Sequence, residues 1–139
     1  MQGVMVDSSV LLDVFTEDPS WYDWSSSALA EAAGEQPLII NPVIYAEISV
    51  RFDRIEELEA ALSQAGIERR PVPYEAAFLA AKCFVRYRKR GGGRTSTLPD
   101  FFICAHAAVE GLALLTRDAG RVRTYFPSVA LIAPGQRRE

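Results

Sequence analysis

The sequence predicts a three-layer α/β domain built on a central parallel sheet. Three observations carry this expectation: short runs that are apolar throughout, helical periodicity between them, and polar residues where the runs end. Strands that are apolar on both faces belong to parallel sheets covered on both sides, and the intervening helices supply the crossovers.

The elements follow in order. Gly3-Val4-Met5-Val6 reads as a strand ending at Asp7-Ser8-Ser9, after which Val10, Leu11, Val14 and Phe15 recur at helical spacing. Pro19 and Ser20 open a second helical stretch that continues to Ala33 and stops at Gly34. Leu38-Ile39-Ile40 is the next strand candidate. Asn41 as N-cap and Pro42 at the first helical position start a helix through Glu47 to about Phe52. Another helix is expected over 53–64 with closure at Gly66, then a short strand over 67–69 and a helix over 73–89. Thr97-Leu98-Pro99-Asp100 has capping-box spacing ahead of an apolar helix, 101–109, that Gly111 ends. The runs 113–116 and 129–132 complete the strands. His106 falls mid-helix and reads as a packed or partly exposed helical residue rather than a general base. No repeat or second domain is visible, so residues 1–134 form one domain and 135–139 a tail expected to fray.

At 139 residues and 49% hydrophobic content, the chain can bury a core without disulfides or a structural metal. Cys83 and Cys104 each sit in an apolar run outside any CxxC or Cys/His cluster, which suits core residues in a reducing compartment. No segment approaches the length needed to span a bilayer, and no basic region leads into a signal-like apolar stretch. A soluble, cytoplasmic protein is the expectation.

The net charge of −3 hides an asymmetry, because residues 1–50 contain no Lys or Arg. Lys82, Arg86, Arg88, Lys89, Arg90 and Arg94 follow one another with no acidic residue among them, and Gly91-Gly92-Gly93 lies inside the same stretch. One or two such cations complement a helix C-terminus. So many without a counter-charge favour contact with a polyanion, which makes Arg86, Arg88, Lys89, Arg90 and Arg94 the candidates for that contact.

In open α/β sheets, ligand sites form beyond the carboxyl ends of the strands. Asp7 follows the first strand directly and Asp118 lies two residues after Thr116, while Glu47 and Asp100 lie on helices that begin near such edges. Each has a structural explanation when taken singly. Asp7 can cap its helix, Asp100 suits a helix N-terminus, Asp118 can open a turn, and Glu47 can occupy a polar stripe. If the four converge, no basic residue of the first half neutralises Asp7 and Glu47, so a bound cation is expected. All-oxygen ligation without His or Cys points to Mg²⁺, with Mn²⁺ as the alternative. Such an ion supports phosphodiester hydrolysis without a catalytic histidine. Ser8, Ser9 and Thr116 are candidate supporting hydroxyls.

Two other readings stay open. An aspartyl-phosphate phosphatase or receiver-like domain also places an Asp after its first strand. Here, however, Ser8-Ser9 replaces the second acid and no lysine follows the later strands. A non-catalytic RNA- or partner-binding module keeps the basic patch and treats the acids as structural.

The stretches VDSSVLLDV (6–14), NPVIYAEIS (41–49), LPDFFICAHA (98–107) and LLTRDAGRVRTYFPSVALIAP (114–134) resemble the successive motifs of PIN-domain proteins, specifically VapC-type toxins of bacterial toxin–antitoxin pairs. The resemblance runs in order over nearly the whole chain. It implies that Asp7 and Asp100 are principal metal ligands, that Asp118 contributes directly or through water, and that Glu47 completes the acidic pocket. It further implies a central parallel sheet, an RNA substrate, homodimerisation, and inhibition by a VapB-like antitoxin.

Overall fold

In the computed structural model, residues 2–91 and 96–135 are described. The apolar runs form five strands: β1 (Val4–Val6), β2 (Leu38–Ile40), β3 (Ile67–Arg69), β4 (Ala113–Leu115) and β5 (Leu131–Ile132). They pair in parallel in the order β3-β2-β1-β4-β5. Central β1 sets the register, with Val4 opposite Leu38 on one side and Ala113 on the other, and Val6 opposite Leu115. β1 and β2 are wholly buried, whereas edge strand β3 exposes Glu68 and Arg69, so the all-apolar pattern fails only where one flank is open.

The helices are α1 (Ser8–Phe15), α2 (Tyr22–Ala33), α3 (Pro42–Ser49), α4 (Ile55–Gln64), α5 (Tyr74–Lys89), α6 (Leu98–Glu110) and α7 (Ala119–Tyr125). Right-handed crossovers send α1–α4 to one face, on the way from β1 to β3, and α5–α7 to the other as the chain steps back past β1. The packing of α1 on α2 and α3, and of α5 on α6, agrees with that division. Order therefore reverses between β1 and β4, the switch point where open α/β sheets leave a crevice.

Two expectations are corrected. Helix α3 ends at Ser49 rather than near Phe52. The Ser49 hydroxyl donates back to the Tyr45 carbonyl at 2.6 Å, and Phe52 turns inward to meet Phe15 edge-on, ring centres 5.8 Å apart. Helix α7 was not expected: it is seven residues long, begins Ala119-Gly120 and buries only Val122, too little for periodicity to register. The capping box is as expected, Thr97 N donating to Asp100 Oδ2 at 2.7 Å.

Met5, Leu11, Ile39, Ile40, Ile44, Ile48, Phe101, Leu114 and Leu115 form the centre of the core. Phe101 is also the hub of an aromatic cluster with Phe84, Tyr87, Tyr125 and Phe126, centroids 5.5–5.8 Å away, which ties α5, α6 and α7 together. Cys83 and Cys104 are buried and unpaired, and burial pushes the Cys104 thiol up to about 12. His106 is fully buried. Its Nδ1 lies 3.0 Å from Asn41 Nδ2 and its Nε2 3.2 Å from Glu110 Oε1, linking the start of α3 to α6. Among the described residues no helix is long and apolar enough to cross a membrane.

Candidate active site

The site begins at the switch point. Asp7 ends β1, where its backbone N–H still donates to the Leu115 carbonyl at 2.9 Å, so the residue is held level with the end of β4. It caps α1 as well, Oδ1 accepting from Ser8 N at 2.8 Å. Its Oδ2 accepts from Thr116 Oγ1 at 2.7 Å and more weakly from Ser9 Oγ at 3.4 Å. Thr116 Oγ1 in turn accepts from Asp118 N at 3.1 Å, joining the acids that follow β1 and β4 through one buried hydroxyl. Glu47 comes from α3, and its Oε1 accepts from Ser8 Oγ at 2.7 Å. Each hydroxyl has one proton. Those of Ser8 and Thr116 are given to Glu47 and Asp7, so these groups orient carboxylates.

Asp7, Ser8, Ser9, Trp21, Asp100, Arg117, Asp118 and Arg121 line one hollow, and Glu47 borders it through Ser8. The structural roles weighed for Asp7 and Asp100 are therefore real and do not compete with convergence. A helix N-terminus at a strand edge supplies both a cap and a wall of the crevice. Asp118 is the most open of the four, its side chain 55% exposed.

Burial is the largest influence on Asp7 and pushes its carboxyl above the ordinary range. The Thr116 and Ser8 hydrogen bonds and the Arg121 charge pull it down, and Asp100 adds to the rise. Glu47 is raised for the same leading reason, with further repulsion from Asp7 and Asp100.

The counter-charge expected to be missing comes from the second half of the chain, on the helix the sequence did not reveal. Arg121 Nη2 lies 2.9 Å from Asp118 Oδ2 and 3.6 Å from Asp100 Oδ2, and its Nε donates to Ser96 Oγ at 3.1 Å. A second arginine, Arg117, is ion-paired with buried Asp13, its Nη2 donating to Oδ1 at 3.2 Å and its Nε standing 2.9 Å from Oδ2 without a hydrogen bond, and lies 4.8 Å from the Trp21 ring centre. Ser25 Oγ completes that cluster with a 2.6 Å bond to Asp13 Oδ2. No signal in the sequence marked Arg117, Asp13 or Trp21, because their meeting depends on where the β4–α7 turn lands.

An acidic pocket of this donor type suits a hard cation: every group is oxygen, and burial and repulsion on Asp7 and Glu47 would ease if positive charge entered. Among the described residues, no three Asp, Glu, His or Cys side chains stand together as a ready chelating group. Arg121 stands between two of the carboxylates.

The basic stretch ends α5 and lies beside this pocket. Arg86, Arg88, Lys89 and Arg90 are exposed, and Arg94 lies outside the described residues. The Arg86 and Arg90 guanidinium carbons are 5.9 and 5.8 Å from the Tyr125 ring centre. A second hollow, lined by Tyr87, Arg90, Ser96, Gly120, Thr124 and Tyr125 among others, shares Asp118 and Arg121 with the acidic one.

Solved structures similar to this chain include a toxin–antitoxin complex and VapBC structures. VapBC2 from Rickettsia felis, bound to a promoter DNA fragment, matches with a TM-score of 0.72 at 16% identity over 94% of this chain and 98% of that one. A toxin–antitoxin complex from Klebsiella pneumoniae gives 0.69 at 18% identity, covering 96% and 99%. VapBC-1 from nontypeable Haemophilus influenzae gives 0.71 at 16%, covering 94% and 97%. At these identities the likeness establishes the fold alone. No curated protein matches the chain. The family match is made by the sequence itself: residues 4–127 fit the PIN domain, from β1 through the four acids to the end of α7, and the chain belongs to the PIN domain family.

Proposed function

We propose that this chain is the toxin of a VapBC-type toxin–antitoxin pair, a Mg²⁺-dependent endoribonuclease that works in the cytoplasm as a homodimer and is restrained by a VapB-like antitoxin. The observation that carries the reading is the joining of two hollows through Asp118 and Arg121, one lined further by Asp7 and Asp100, the other by Arg90, Tyr87 and Tyr125. An RNA backbone needs cations along its length and, at the phosphate to be cut, a place for a metal ion and water. The toxin–antitoxin complexes among the similar structures support the partner and the oligomer.

Asp7, Asp100 and Asp118 would hold the ion, Mg²⁺ or Mn²⁺, with Glu47 completing the acidic wall. When bound, such an ion polarises a phosphoryl oxygen and lowers the pKa of attached water. The chain's own residues do the rest. Thr116 and Ser8 fix the Asp7 and Glu47 carboxylates by hydrogen bonds at 2.7 Å. Arg86, Arg88, Lys89 and Arg90, with Arg94, would hold the backbone on either side of the cut.

A second reading, a non-catalytic RNA- or partner-binding module, draws support from Arg121 lying across Asp100 and Asp118. One experiment separates the two. Single-stranded RNA should be cut by the protein with Mg²⁺, and left intact with EDTA or by Asp100→Asn with Mg²⁺. RNA that is bound but uncut in every condition would establish the binding module.

A further inference from the structure

Arg121 is the one cation inside the acidic pocket among the described residues that faces its carboxylates directly, and it is built in. Its side chain is only 10% exposed, and a single nitrogen, Nη2, faces both Asp118 Oδ2 at 2.9 Å and Asp100 Oδ2 at 3.6 Å. Burial works against its charge. Its neighbours, the buried Cys104 sulfur first and then Asp100 and Asp118, outweigh burial and hold its pKa above the usual value. The position follows from α7: Asp118 is the N-cap and Arg121 lies three residues on, where a helix brings side chains over one another.

A divalent ion shared by Asp100 and Asp118 would need the space that Nη2 fills, and two cations about 4 Å apart repel strongly away from bulk water. The two occupants exclude each other. Arg121 has somewhere to go, because it also lines the neighbouring hollow with Tyr87, Ser96, Thr124 and Tyr125, where Ser96 already binds its Nε. Rotation of a long side chain about that anchor frees Nη2 and leaves α7 in place.

We propose that Arg121 is an internal counter-cation that closes the acidic pocket in the metal-free protein and competes with the divalent ion for Asp100 and Asp118. This inference rests on the metal-site reading of the pocket made above. It assigns Arg121 as a gating residue whose charge opposes metal entry, so the metal affinity of the site is weaker than its four carboxylates alone would give.

The test is binding of Mn²⁺ alone, without RNA, followed through the resonance signal of the free ion and through the melting temperature. Parent, R121Q, R121K and D100N are compared. R121Q should melt lower than parent in EDTA, bind Mn²⁺ on the order of tenfold tighter, and gain more in melting temperature from it. R121K keeps the charge and should bind Mn²⁺ as weakly as parent. R121M, which keeps the stem and loses the charge, carries the same expectation as R121Q should the latter fail to fold. Binding by R121Q and R121M equal to or weaker than parent would overturn the competition. If D100N had meanwhile lost the ion, the metal site itself would stand. An absence of Mn²⁺ binding in parent and Arg121 variants alike would overturn the competition and the metal reading together, while binding in R121Q alone would support both.

Discussion

Two clusters of charge flank Asp118, assembled from the same kinds of part to different ends. On one side Arg117 is ion-paired with Asp13 and donates to it from Nη2, Ser25 adds a hydroxyl, and Trp21 covers the guanidinium. On the other, Arg121 faces Asp100 and Asp118, with Asp7 and Glu47 close behind. The first cluster balances, one carboxylate to one guanidinium, and Asp13 is buried with its partners in place. The second sets four carboxylates against one guanidinium. A matched buried pair holds elements together. A surplus of one sign, kept in place by the fold, is a demand for a ligand.

Breaking each cluster should have opposite signatures, and the largest effect falls on activity. Removing an outer partner of a metal ligand costs about 10- to 100-fold, and removal of a ligand should exceed that. Asp7→Asn and Asp100→Asn are therefore expected to lower metal-dependent RNA cleavage by more than about 100-fold at unchanged fold. Asp13→Asn should leave cleavage per folded molecule near the parent's. The comparison would collapse if Asp13→Asn were as inactive as Asp100→Asn at equal folded amount.

Stability should show the reverse order. Removing one partner of a buried ion pair leaves the other uncompensated, at a cost of about 3 kcal/mol, and the partial exposure of Arg117 brings this nearer about 2 kcal/mol. Asp13→Ala is expected to lower the unfolding midpoint in urea accordingly, with Asp100→Asn changing it far less. Equal midpoints for Asp13→Ala and parent would show that the Arg117 cluster holds nothing.

How far each cluster could be read in advance depends on how locally it is specified. β1, β2 and β4 were legible because their residues are apolar regardless of face, and three of the acids because they follow strands or start helices at the sheet edge. Asn41 and Thr97 announced α3 and α6 through capping chemistry, which acts within a few residues. Arg121 was hidden with its helix, since α7 buries one side chain and offers no period. Asp13 looked like any polar position on α1, and its burial follows from Ser25 and from Arg117, 104 residues away. Asp7 and Glu47 have no cation near them along the first half of the chain, and the fold brings Arg121 to them from the far end.

The surplus of negative charge also has a direction in pH. Asp7 is raised above its ordinary 3.8 in the folded protein, so the native state holds that proton more tightly than the unfolded chain does. Stability then falls as pH rises from the unfolded value through the folded one, and the penalty is fully present above both. Asp7→Asn, which can still accept from Thr116, should melt higher than parent at neutral pH in EDTA. Its advantage should shrink as the pH drops through the folded Asp7 value toward 3.8. A variant that melted lower at neutral pH, with a gap indifferent to acid, would remove Asp7 from the unmatched set.

The rule extends to positive charge, where the expected effect is smallest and the comparison is sharpened most. Arg86, Arg88, Lys89 and Arg90 crowd the end of α5, where Arg86 and Arg90 lie over the Tyr125 ring and Arg88 over Phe84, contacts that leave the charge in place. By the logic of the acidic pocket, this surplus calls for an anion, and the shared wall at Asp118 and Arg121 leads from it to the carboxylates. Neutralising one cation that binds a phosphate of a single strand flattens the dependence of log affinity on log salt by about 0.7. Replacing Arg88, Lys89 and Arg90 with Gln should thus flatten the slope for single-stranded RNA by up to about 2. Binding would weaken most at low salt, and cleavage would recover once RNA is saturating, if these residues hold substrate and take no part in bond breaking. Measuring RNA affinity across salt for the triple variant and parent decides the matter. An unchanged slope, accompanied by weaker binding of the antitoxin, would mean that the anion this surplus awaits is the acidic surface of a protein, and that RNA reaches the carboxylates by another path.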